Sequence, residues 1–123
     1  MQFMPFIWVG LGGAIGACLR YGLSLALPGS RFPFATLCVN LLGCALAGAV
    51  LAMFERGSIG TFTKLFVMTG ILGGFTTFSA FSIETLQLIR EGHSLQALSY
   101  ALLSVCGCVM AAAGGFYVLR AAG

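Results

Sequence analysis

Charge is what this chain has least of. Its 123 residues carry three acidic side chains, six Lys or Arg and one His, while 59% are hydrophobic. So few charges cannot dress the surface of a soluble globule, and a mean hydropathy of +1.04 points the same way. A charge run, a low-complexity tract and a stretch polar enough for an extramembrane domain are also missing. Met1 to Met4 lacks the positive segment of a signal peptide, and no small-residue cleavage pattern closes a short apolar core. The first apolar span is therefore expected to stay in the protein. The cysteines Cys18, Cys38, Cys44, Cys106 and Cys108 include no CxxC pair, and there is only one His to join them. They read as small buried residues rather than as redox or metal chemistry. No general base, activated nucleophile or metal-ligand cluster stands out, so an enzyme has little to work with.

What is there is apolar sequence in long runs. A membrane-spanning helix needs ~20 apolar residues, so this length allows about four spans with little left over. The expected fold is an all-α integral membrane protein, one four-helix transmembrane domain over residues 1–123. Its spans run from about Phe3 to Leu27, Phe34 to Phe54, Phe62 to Arg90 and Leu95 to Arg120. The first holds a GxxxG step, Gly12 and Gly16, which lets helix backbones approach closely in lipid. Arg20 follows within that span, placed either to snorkel or to face an aqueous vestibule. Pro28-Gly29-Ser30-Arg31 has turn chemistry. In the second span Thr36, Asn40, Gly43 or Cys44, and Ala47 share one narrow face. A carboxamide at that depth needs partners, from a neighbouring helix or from a polar pathway.

The third span is the unusual one. Gly70-Ile71-Leu72-Gly73-Gly74-Phe75-Thr76-Thr77-Phe78-Ser79-Ala80-Phe81-Ser82 combines a Gly pair, a β-branched pair and rings at i, i+3 and i+6. It predicts a helix broken mid-membrane near residues 73–77, with Gly73-Gly74 the least helix-committed pair. Irregular backbone at that depth is tolerated only where protein or a water-filled path covers it, so the break suggests an ion site. A plain Gly kink with packed rings is the simpler alternative. Glu84, one turn beyond Phe81, is expected at a water-filled mouth, and His93 in a solvated loop. In the last span Tyr100, Ser104 and Cys108 fall at i, i+4 and i+8, a stripe for packing or for lining a path.

Orientation is left open by the charges. Both termini and the Glu55–Lys64 loop share a side with Arg56, Lys64 and Arg120; the other side has Arg31 and Arg90, with Arg20 near its face. Three against three gives the positive-inside rule nothing to act on. Insertion both ways would allow an antiparallel homodimer whose two-fold axis in the membrane plane pairs two breaks.

Three blocks carry a resemblance over essentially the whole chain. They are Gly12-Gly13-Ala14-Ile15-Gly16-Ala17-Cys18-Leu19-Arg20-Tyr21, Thr36-Leu37-Cys38-Val39-Asn40-Leu41-Leu42-Gly43 and Gly70 through Phe81. Together they resemble the small Fluc/CrcB-type fluoride ion channels. The resemblance implies a dual-topology, antiparallel homodimer in the cell inner membrane, with two fluoride pores and a sodium ion at its centre. It implies that Phe78 and Phe81 turn ring edges to fluoride, that Asn40 donates to the ion, and that Thr77, Tyr100 and Ser104 line the pore. Arg20 would stand at the vestibule and Glu84 near a pore mouth. Backbone carbonyls of Gly73 and Thr76 from both subunits would hold sodium. Cys108 occupies a position where a hydroxyl would donate better. A small multidrug-type, proton-coupled transporter is the alternative, but it needs a carboxylate in the first span, where this chain has only Arg20. A purely structural membrane subunit would leave Asn40 and the Phe/Thr cluster without a purpose.

Overall fold

The computed structural model describes residues 2–27 and 29–123; Met1 and Pro28, on which part of the expected 28–31 turn falls, lie outside them. The described residues fold as helices without strands, and four of them are long and apolar enough to cross a membrane. Helix α1 spans Met4–Ala26 and α2 spans Phe34–Glu55. The third crossing, Thr61–Arg90, is composite. It begins as α3 (Thr61–Lys64), widens into a π-helical segment (Leu65–Leu72), closes as α4 (Gly73–Phe75) and resumes as α5 (Phe78–Arg90). Helix α6, Ser94–Ala122, completes the bundle. The chain is a multi-pass membrane protein.

Two seams hold the bundle together. Along the first, α1 lays its glycine face on the π-helical segment. A Cβ at Gly12 would stand 2.9 Å from the Phe66 carbonyl oxygen, and one at Gly16 would strike the Ile71 carbonyl. Only glycine permits that approach, which in lipid supplies the dispersion contact that the hydrophobic effect cannot. Along the second seam α2 and α6 run side by side in the same direction. Gly48 meets the Ala112 carbonyl and Gly115 meets the Ala45 carbonyl, backbone to backbone. Gly48→Val should therefore force the seam apart and cost about 1–3 kcal/mol. A lowered midpoint in thermally scanned size-exclusion chromatography checks this. Gly114→Val, which has open space around it, should leave the midpoint unmoved.

The interruption lies at Thr76 and Thr77, not at the glycine pair. Both threonines are extended (φ −80°, ψ 154° and φ −148°, ψ 118°), whereas Gly73 stays helical at φ −62°, ψ −37°. Side chains branched at Cβ favour extended backbone, which accounts for the threonines. Gly74 is there for space: a Cβ would stand 2.9 Å from the Gly13 Cα and collide with the Gly13 carbonyl. Helix α5 then starts on its own cap, Thr77 Oγ1 accepting from the Ala80 N–H at 3.1 Å. It stops at Gly92, whose φ of +82° reverses the chain while the His93 N–H reaches the Leu88 carbonyl.

At one end of the bundle, Arg120 pairs with Glu55 at 3.3 Å, and Lys64 sits 4.2 Å over the Phe54 ring. These exposed contacts add little stability. Trp8 packs edge-on against Phe62 and Phe66 near the same end, an aromatic anchor of the kind found at a membrane surface.

Candidate functional site

Asn40 holds the broken crossing from across the α2 face. Its Oδ1 accepts from the Thr77 N–H at 2.8 Å, and its Nδ2 donates to the Thr77 carbonyl at 3.0 Å. The carboxamide thus fixes the backbone of a single residue from both sides. It spends its oxygen and one N–H in doing so. A second N–H remains, on a residue that lines a cavity.

These bonds redirect the ordinary helical pattern. The Thr77 N–H, which would otherwise close a turn on the Gly73 carbonyl, goes to Asn40. The Ala80 N–H, which would otherwise serve the Thr76 carbonyl, goes to Thr77 Oγ1. Arg20 Nε donates to the Gly74 carbonyl at 3.2 Å, so this arginine ties α1 to the break. The Thr76 side chain folds back, its hydroxyl donating to the Leu72 carbonyl. The carbonyls of Gly73 and Thr76 are thereby left without their regular donors.

The cavity beside the break has a volume of about 320 Å³. Thr76, Thr77, Phe78 and Phe81 line it from the third crossing, Asn40 and Cys44 from α2, and Ser104, Val105, Cys108 and Val109 from α6. None of these side chains is charged. The Phe78 and Phe81 centroids lie 5.4 Å apart, and Phe81 continues to Tyr100 at 5.1 Å. The hydroxyls of Ser104 and Tyr100 are buried with no hydrogen-bond partner among the described residues. Tyr100 has no exposed surface and its hydroxyl adjoins Thr36 outside bonding geometry. Thr36 in turn donates to Glu84 Oε1 at 2.7 Å. Glu84 opens onto a smaller polar pocket of about 230 Å³ lined also by Ser30, Arg31, Gln87 and Glu91. Phe78, Phe81, Asn40, Thr77 and Ser104 therefore meet at one cavity, Tyr100 stands behind it, and Glu84 lies at a separate mouth. Arg20, Gly73 and Thr76 cluster at the break.

A family model described as CrcB-like protein, Camphor Resistance (CrcB), matches residues 7–116. The chain belongs to this CrcB-like family. It is 43% identical over 105 residues to the Fluoride-specific ion channel FluC 2 of Listeria innocua, which covers 85% of this chain and 81% of that one. It is 40% identical over 125 residues to the Fluoride-specific ion channel FluC of Nautilia profundicola, with 98% of each chain covered. The FluC of Helicobacter pylori is 38% identical over 119 residues, 92% of each.

Some features of this CrcB-like site lie beyond what residue order displays. The pair of hydrogen bonds between Asn40 and Thr77 joins positions 37 apart in the chain, and the Thr36–Glu84 hydrogen bond spans 48. The shared face of Thr36, Asn40 and Cys44 was the available signal, but it does not name the residue opposite. The π-helical segment had no signal: Leu65–Leu72 reads as ordinary apolar helix.

Proposed function

We propose that the protein is a fluoride channel that lets toxic cytoplasmic fluoride leave passively across the cell inner membrane, working as an antiparallel, dual-topology homodimer with two pores. The observation that carries this reading is the uncharged cavity at which Asn40, Ser104 and the rings of Phe78 and Phe81 meet. Fluoride is small and strongly hydrated, so a pore must offer replacements for water yet release the ion. A lysine or arginine in the cavity would hold it too long. Asn40 has one N–H to give, and Ser104 has a buried hydroxyl with no partner among the described residues. Phe78 and Phe81 have positive ring edges, a weak and non-ionic attraction. From there the ion would pass Tyr100 and Thr36 to the pocket at Glu84 and Arg31. The names of the Listeria, Nautilia and Helicobacter relatives support the same cargo.

Phe78 is 76% exposed on the single chain. A second copy related by an in-plane two-fold axis would cover it and bring two breaks together. The central sodium of that assembly fits the residues at hand, because hard cations take carbonyl oxygens and Gly73 and Thr76 each have one whose regular donor is engaged elsewhere. When bound it would supply positive potential near the pores and a link between subunits. Against the transporter alternative, Glu84 is engaged by Thr36 and neighbours Arg31, outside the central cavity.

The test is anion efflux from liposomes holding the purified protein, with fluoride and chloride read in parallel. Rapid loss of fluoride with chloride retained is expected. Retention of both by well-folded protein would reject the channel.

A further inference from the structure

The cavity wall contains a pair of groups that the fluoride path does not use. Asn40, Cys44 and Gly48 follow one another at four-residue steps on α2, and Ser104, Cys108 and Ala112 do the same on α6. Because the two helices run in the same direction, these residues form successive rungs. The Gly48 rung, where backbone meets backbone, fixes the helix separation at its minimum. One turn away Cys44 and Cys108 occupy the matching rung, and both line the cavity from their two helices. Neither is in a disulfide.

We propose that Cys44 and Cys108 form a binding site for a soft divalent cation that prefers two ligands, of which Hg2+ is the type. Thiolate sulfur selects soft ions. No group of three or more His, Cys, Asp or Glu side chains that could hold a metal occurs among the described residues, so ions needing four protein ligands, such as zinc, are not served. Charge selects further. On binding, two S–H bonds break, two sulfur–metal bonds form and two protons leave through the cavity, with no change of oxidation state. Two thiolates on a divalent ion make a neutral unit, whereas a monovalent ion would leave a net negative charge in the membrane interior, which is expensive. A bridged pair would stand one turn from the Asn40–Ser104 rung and obstruct it.

The test uses the full-length protein in detergent, reduced and then freed of reductant under argon, with Cys18, Cys38 and Cys106 replaced by Ala. Hg2+ is titrated while free thiols and the sulfur-to-mercury absorbance in the near ultraviolet are followed. One ion is expected to consume both thiols, and Cys44→Ser or Cys108→Ser on this background should abolish that tight, bridged binding. Uptake of two ions per chain, or persistence of equally tight binding in either single-thiol variant, would mean that the thiols act separately and would overturn the pair. Absence of any uptake would overturn it as well. Binding is read without flux, so it stands or falls independently of the fluoride reading on which the obstruction rests. In vesicles where the metal-free protein conducts, the Hg2+-bridged form should fall to the leak of protein-free vesicles and recover with a dithiol.

Discussion

Asn40→Asp should cut fluoride flux by about a thousandfold in reconstituted vesicles at neutral pH. A carboxylate about 4 Å from the ion would oppose it by about 4 kcal/mol at an effective dielectric near 20, and each 1.4 kcal/mol is about tenfold in occupancy. The substitution also removes the Nδ2 that donates to the Thr77 carbonyl, while an oxygen that can accept from the Thr77 N–H is kept. The break therefore retains one of its two ties, and the protein should still purify as a folded species. Flux within a few-fold of the parent would show that Asn40 serves the break alone and does not face the ion.

The second large effect belongs to the rings. Phe81→Ile and Phe78→Ile should each bring fluoride flux down to the leak of protein-free vesicles. Isoleucine fills much of the same space and is equally apolar, but it has no quadrupole and so no positive edge. Phe81 has a second duty, packing between Phe78 and Tyr100 at 5.4 and 5.1 Å. Phe78 is exposed on the single chain and meets only Phe81 among the rings, so its replacement disturbs packing within the chain less, and the elution profile reports on packing between copies. Parent-like flux in Phe78→Ile, with an unchanged elution profile, would remove ring edges from the mechanism.

How much of this was legible depended on whether the cause is local. Hydropathy announced four crossings because lipid demands long apolar helices whatever their neighbours. Gly12 and Gly16 were legible as a close-packing face for the same reason. Within the expected break at 73–77 the two pairs have different duties: Gly74 is required by Gly13 on another helix, and the β-branched Thr76–Thr77 pair carries the extended backbone. Asn40 was recognised as needing partners, but its partner is the backbone of Thr77, and backbone carries no residue-specific signature. Cys44 and Cys108 each read as an inert small residue. Their adjacency follows only from the parallel course of α2 and α6, fixed by Gly48 and Gly115.

The ties at the break also bear on the order of assembly. Asn40, Thr77 and Arg20 engage the Thr77 N–H and carbonyl, the Ala80 N–H and the Gly74 carbonyl from within one copy, and leave over the carbonyls of Gly73 and Thr76. Exposed polar backbone in hydrocarbon would otherwise demand a partner before the crossing could be completed. A newly inserted chain thus holds its break in shape by itself, with two carbonyls still to be served. Assembly of the proposed dimer would then be a diffusional event in the plane of the membrane between chains already inserted, with a rate set by surface density rather than by the time needed to fold.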